Sequence, residues 1–224
     1  MKTVVVENSA VCSAAAEALY SIVGDKPHAA ILFSDDPEAA GSLRKFIDIC
    51  AENGTEISGY KFFAASVLPG DKLVNRSAAV LEERGAGNIY CPSFDEPEKY
   101  DAVIAAAGGI DAAIISVGKN GRVIYNEPAV RFDSETHIQK LTDKTKKELA
   151  EGSDRDIIPE NAVTAGIRTV TSARNIIVAA AGTEKADAVY KMLYARTDSV
   201  VPAAFLQLPL NVTVFADTAA AAQL

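Results

Sequence analysis

The sequence predicts an α/β protein, a single domain over residues 1–224 with a largely parallel central sheet flanked by helices. Three observations carry this. Short β-branched or apolar runs alternate along the chain with Ala-rich amphipathic stretches, the pattern in which each strand is followed by a helix that returns the chain to the same end of a sheet. The 224 residues are 49% hydrophobic and 23% charged, enough apolar material for one full core in a domain of this size. No internal repeat, low-complexity linker or compositional break divides the chain.

The elements follow in order. Ser9 is a candidate N-cap for a helix over residues 9–23, closed by Gly24 and Asp25. A buried strand is expected at 29–34. Asp35, Asp36 and Pro37 then open a second helix that runs to residue 53 and stops at Gly54. Residues 60–65 read as a strand, 73–84 as a helix and 88–90 as a short strand. A helix over 96–107 ends at Gly108 and Gly109, and residues 112–117 form the clearest buried strand. Beyond a glycine-bracketed loop, 123–125 and 136–138 read as extended and 142–150 as helical. A strand at 175–180, a helix from 183 to 194 and a strand at 212–216 complete the series. Strand order is not encoded in this periodicity.

Charge and composition narrow the function. Thirty acidic residues against 22 basic ones give a formal net charge of −8, which repels phosphate backbones and argues against general nucleic-acid binding. No apolar run approaches the ~20 residues of a membrane helix, and polar residues follow the short Val run of MKTVVV before an apolar signal core forms. The expectation is a soluble, cytoplasmic protein with no membrane partner. Cys12, Cys50 and Cys91 are an odd set without CxxC spacing, indicating neither a disulfide framework nor a zinc site. His28 and His137 are distant and unpaired in sequence, which speaks against a metal site. No cofactor is expected. The expected partner is a small-molecule ligand, with homo-oligomer formation left open.

The apolar segment 110–117 and the loop Gly118-Lys119-Asn120-Gly121-Arg122-Val123-Ile124-Tyr125-Asn126-Glu127-Pro128 resemble the glucosamine-6-phosphate deaminase/isomerase family, relatives of the 6-phosphogluconolactonases. That family reads roughly G-x-G-x-D-G-H-I-A-F-N-E-P there. Further blocks agree in order: Ala162-Val163-Thr164-Ala165-Gly166-Ile167 is similar to A-L-T-V-G-V/I, and Gly182-Thr183-Glu184-Lys185-Ala186 to G-x-x-K-A. Leu206-Gln207-Leu208 with the strand after it looks like the family's closing L-Q-L and last strand. The resemblance covers nearly the whole chain, with shortening after Pro69, and it implies the fold of that family. It also implies a phosphorylated sugar as ligand, bound at the carboxyl edge of the sheet. In the family the ring is opened, a proton moves between C1 and C2, and ammonia leaves to give fructose 6-phosphate. That chemistry needs an anion cradle, a carboxylate base near C2 and a His–carboxylate relay.

This chain departs from the family at each of those parts. At the end of the strand 60–65 the family carries an M-D-E-Y-like sequence whose aspartate takes the C2 proton. Here stand Phe63, Ala64, Ala65 and Ser66, and alanine has no group to accept a proton. The nearest carboxylate in sequence is Asp71. In the relay, Asn120 and Arg122 replace aspartate and histidine, and an arginine stays protonated. Glu127 stands where the family has its relay glutamate. It either pairs structurally with Arg122 or leaves Arg122 to grip a ligand carboxylate or phosphate. The family's G-G-T-P-like phosphate turn is Ser34-Asp35-Asp36-Pro37-Glu38 here, and Asp35 or Asp36 is expected to cap the following helix instead. Lys185 stands at the family's phosphate-gripping lysine and reads either as that or as a solvated helix lysine. Gly118 keeps its loop tight enough for close backbone approach. Arg155 could replace the family's lid arginine only with the lid redrawn.

The site residues expected on this basis are Glu127 for catalysis and Ser34, Asp35, Asp36, Ala64, Gly118, Asn120, Arg122 and Lys185 for the ligand. The expected function is a divergent deaminase-like protein that binds a sugar, a phosphosugar or a similar small ligand with catalysis lost or much weakened. Retained Glu127 and Lys185 keep open an active deaminase or isomerase on glucosamine 6-phosphate or a related sugar. A non-catalytic partner of an active paralogue is the third reading.

Overall fold

A computed structural model describes residues 1–70, 76–152 and 157–224. Its strands are β1 (Lys2–Val6), β2 (Ala30–Phe33), β3 (Lys61–Ala64), β4 (Ser66–Val67), β5 (Asn88–Tyr90), β6 (Ala112–Ile115), β7 (His137–Lys140), β8 (Asn161–Thr164), β9 (Ile176–Ala180) and β10 (Val212–Asp217). The helices are α1 (Val11–Val23), α2 (Pro37–Glu52), α3 (Arg76–Glu83), α4 (Lys99–Ala106), α5 (Asp143–Gly152), α6 (Ile167–Thr171) and α7 (Ala186–Tyr194). The expected helix start at residue 73, together with Asp71 and Arg155, lies outside the described residues.

Seven strands form one sheet in the order β1-β10-β9-β6-β2-β3-β5, and every neighbouring pair in it is parallel. Its central strands are apolar throughout because both faces are covered. Leu32, Phe63, Ile115 and Val178 point into a core that also takes Tyr100 of α4, Val170 of α6 and Met192 of α7. Ile31, Phe62 and Ile114 point the other way, against Leu19 of α1, Leu43 and Phe46 of α2 and Leu81 of α3. Alternate residues of one strand therefore feed two separate cores, as the two-residue period of a strand requires.

From β2 the chain builds outward through β3 to β5, then returns to place β6 on the other side of β2. The connections leaving β2 and β6 diverge, and at such a switch point, beyond the carboxyl ends of the strands, α/β sheets of this kind have their ligand-binding crevice. A smaller sheet, β4-β8-β7, is antiparallel. The chain passes from the large sheet to the small one at Ala65, whose N–H bonds Phe33 O at 2.8 Å and whose carbonyl accepts from Ala165 N at 2.7 Å.

Several expectations need correction. Ser9 does not cap α1: it lies inside a short 3-10 turn, Asn8–Ala10, and the N-cap is Ala10 without a side-chain bond. Residues 123–125 form no strand. They make single bridges, Val117 to Val123 and Val123 to Asn126, around a tight turn, and Ile124 sits at φ 56°. A β-branched residue in the left-handed region is strained by about 1–3 kcal/mol and is held there by its surroundings. The helix expected from residue 183 begins as a 3-10 turn, Thr183–Lys185, before α7.

Gly166, the N-cap of α6, is required by a close approach. A Cβ there would lie 2.1 Å from Ser134 O and 2.3 Å from Glu135 O, and both are backbone atoms that cannot swing aside. The Ser134 carbonyl and hydroxyl are held in place by Arg168 N and Ile167 N, each at 3.0 Å. Gly166→Ala is expected to lower stability by about 3 kcal/mol, the upper end for overpacking. A urea unfolding midpoint unchanged from wild type would contradict this.

Candidate functional site

The carboxyl ends of β2, β6 and β9 meet at the crevice, and each delivers part of one polar cluster. After β2, Ser34 is buried, with its N–H on Ile114 O at 3.1 Å. Its hydroxyl donates to Asp36 Oδ2 at 2.9 Å. Asp35 turns toward α3, where its Oδ1 accepts from the Ser77 N–H at 3.2 Å and the Ser77 hydroxyl at 2.6 Å. The expectation that Asp35 or Asp36 caps α2 is therefore corrected: Asp36 occupies the N-cap position without a capping side-chain bond. Its carboxylate is drawn instead to Ser34 and to Arg122 Nη1, 3.6 Å away.

After β6, the loop closes over itself around Arg122. The guanidinium donates to the carbonyl of strained Ile124 and to Glu148 Oε2 of α5 at 3.1 Å, and its carbon lies 5.4 Å from the centre of the Tyr125 ring. Gly118 makes room for this. A Cβ at that position would fall 2.5 Å from Arg122 Cγ and 2.6 Å from Nε. Burial works against the charge of Arg122, but Asp36, Tyr125, Glu148 and Glu127 outweigh it and hold its pKa above the ordinary value. It is a fixed cation, not a proton carrier.

Glu127 does not take Arg122 as its ion-pair partner. Its Oε2 accepts from Asn120 Nδ2 at 2.8 Å, and its Oε1 from the N–H and hydroxyl of Thr142, both at 3.2 Å. Asn120 also accepts from Arg122 N at 3.1 Å. The loop and the start of α5 are thus tied together through Glu127.

Lys185 is no solvated helix lysine. It is 7% exposed, and its Nζ lies 2.6 Å from Glu38 Oε2 and 2.8 Å from Ser116 Oγ. The turn that carries it is fixed by Asp217 at the end of β10. That carboxylate accepts from Gly182 N at 3.1 and 3.2 Å, Ala220 N at 2.7 Å and Asn8 Nδ2 at 2.6 Å. Burial alone would raise the pKa of Asp217; the Asn8 amide and the Ala220 and Gly182 N–H groups reverse this and lower it. A lowered folded-state pKa contributes stability that is present above the ordinary value and lost as pH falls through the folded one. The stability gap between wild type and Asp217→Asn is therefore expected to be full at neutral pH and to close below pH 3.8. Urea titrations across that range check this, and a gap independent of pH would contradict it.

Ala64 closes β3 with no exposure, as does Ala65 beside it. The Ala64 carbonyl lies 2.8 Å from the Tyr100 hydroxyl, which is also 2.9 Å from Tyr90 O. This end of the sheet is packed and hydrogen-bonded, with no titratable side chain on either alanine.

Sequence reasoning missed Glu38, Ser116, Thr142 and Glu148. Ser116 had a signal, a hydroxyl inside an otherwise apolar strand run. Glu148 had none, because it is one charge among many on α5. Among the described residues, no group of three or more His, Cys, Asp or Glu is gathered to hold a metal ion, and no helix is long and apolar enough to cross a membrane.

Comparison with known proteins places this architecture. No protein-family model matches the chain. The glucosamine-6-phosphate deaminase of Halalkalibacterium halodurans is 41% identical over 123 residues, 54% of this chain and 50% of that protein. The glucosamine-6-phosphate deaminase of Leuconostoc citreum is 35% identical over 179 residues, 77% of this chain and 71% of that protein. For several such relatives the chain spans about half of their length. A solved monomeric glucosamine-6-phosphate deaminase superposes with a TM-score of 0.90 at 23% identity, covering 99% of both chains, which speaks to the fold.

Proposed function

The chain belongs to the glucosamine-6-phosphate deaminase family, and from that premise we propose that it binds a sugar or sugar phosphate at the crevice with deaminase turnover lost or much weakened. The observation that carries this is the end of β3, where Ala64 and Ala65 stand buried at the place matching the family's base. The two aspartates after β2, the strand beside β3, are engaged elsewhere: Asp35 by Ser77, Asp36 by Ser34 and Arg122. Arg122 at the relay position keeps its proton. Loss of a general base costs about 10²–10⁴-fold in rate, and loss of oriented electrostatic help about 10²–10³-fold. Together they leave little of an ordinary turnover.

The buried Lys185–Glu38–Ser116 group and the Arg122 loop gather polar groups at the carboxyl ends of β2, β6 and β9, where α/β sheets bind ligands, and this supports the reading. Three free cysteines fit a reducing, cytoplasmic setting.

Proton NMR on glucosamine 6-phosphate in D₂O with the purified chain tests the reading. The C2 proton signal is expected to persist, while saturation transfer from protein to sugar reports binding. Exchange at C2 would overturn the loss of turnover and make Asp35 or Asp36 the first candidates for the base.

A further inference from the structure

We propose that helix α5 is a latch, held shut by the chain's own Arg122, and that a ligand enters when Glu148 lets go. This rests on the reading that a sugar binds at the carboxyl end of the sheet, and adds how its entry is controlled. The buried guanidinium of Arg122 stands between three elements. It reaches Ile124 O in its own loop, Asp36 Oδ1 at the start of α2 at 3.6 Å and Glu148 Oε2 on α5 at 3.1 Å. The fork that an incoming polar group would need is thus filled by the protein itself.

The two ends of α5 are attached differently. At its start, the N–H and hydroxyl of Thr142 both donate to Glu127 Oε1 at 3.2 Å. Thr145 N donates to Thr142 Oγ1 at 3.3 Å, and Thr145 is fully buried. That end is a pivot. Farther along, Leu149 packs only partly buried against Leu68, Leu141 and Ala162. The pair of Lys119 with Glu151 is exposed and 4.0 Å long, so it adds little. The buried Glu148–Arg122 contact is what ties this half down, and breaking it frees the helix to swing about Thr142.

The closed contact is also incomplete. Arg122 Nε and Glu148 Oε1 are both buried with no hydrogen-bond partner among the described residues, although they belong to one ion pair. The shut state therefore bears the desolvation of both atoms with no bond in return, and water supplies both bonds on opening. The backbone gives an independent sign. Ile124, whose carbonyl accepts from Arg122, sits at φ 56°, and strain of this kind gathers at clamps and switch regions. Opening bares Arg122 with Asp36 and the Ser34 hydroxyl beside it.

Hydrogen exchange and isothermal titration of the full chain test the latch, with glucosamine 6-phosphate as the probe. Glu148→Gln keeps the side-chain shape and gives up the charge. Its α5 amides are expected to exchange at least about tenfold faster than in wild type, with α1 and α2 unchanged. Its apparent Kd is expected to fall at least about threefold, since a site open for only a fraction of the time binds more weakly by that fraction. Leu149→Ala loosens the same half of α5 without touching a charge, and it is expected to move both readouts the same way. Unchanged exchange of α5 in both variants overturns the latch. Faster exchange with equal or weaker binding also overturns it and leaves sugar binding standing. Tighter binding in Glu148→Gln but not in Leu149→Ala overturns it too, because the gain is then one of charge. Silence from wild type and both variants overturns the latch and the sugar-binding reading together.

Discussion

Lys185→Met is expected to lower the unfolding free energy by about 3–5 kcal/mol, the range for removing one member of a buried ion pair. The ammonium is buried 2.6 Å from Glu38 Oε2 and 2.8 Å from Ser116 Oγ. Methionine fills the same space, so little of the loss comes from a cavity. What remains is Glu38, whose side chain is 14% exposed, with the Ser116 hydroxyl at 3.3 Å as the one side-chain donor to it among the described residues. Adding Glu38→Gln to Lys185→Met is expected to recover most of the stability, because the stranded carboxylate is then gone. Urea unfolding of the two variants checks both statements. A single-variant loss below about 1 kcal/mol, or no recovery in the double variant, would show that the pair is not what holds the turn.

Arg122→Met is expected to cost a similar amount, about 3–5 kcal/mol, and to do so unevenly. Its guanidinium bridges Asp36 at the start of α2 and Glu148 on α5. Helix α5 has little apolar anchorage, since in the small core of Leu68, Leu141 and Ala162 its contribution is partly buried Leu149. Its other ties to the loop among the described residues are polar: Thr142 to Glu127, Lys144 Nζ to Lys119 O at 3.4 Å, and the exposed pair of Lys119 Nζ with Glu151 Oε2 at 4.0 Å. Without Arg122, the amides of α5 are therefore expected to exchange with solvent faster than those of α1 or α2, ahead of global unfolding. Native-state hydrogen exchange reads this directly. Uniform acceleration across all helices would place the role of Arg122 in the core at large instead of in the tie between the loop and α5.

Much of this fold was legible because it is local. The strand at 88–90, the helix stop before Gly54 (φ 68°) and the alternating buried runs of β2, β6 and β9 follow from periodicity and turn chemistry. As elements, β1, β4, β8 and α6 escaped. β4 has two residues, too few for any period to show, and β8 was visible only as a block of family resemblance. The segment 123–125 is β-branched and aromatic, yet it turns, because the Ile124 carbonyl is held toward Arg122; tertiary bonding overrides propensity there.

By itself the sequence determined the α/β class, the family resemblance and the absence of a titratable group at the end of β3, since a residue type settles whether a proton can be held. Only the tertiary structure decided which charges answer one another. Lys185 meets Glu38 across 147 residues, Arg122 meets Glu148 and Asp36, and Asp35 turns to Ser77 instead of capping its own helix. Such pairings depend on which strands end side by side, and the order β9-β6-β2 that brings them together leaves no trace in local periodicity.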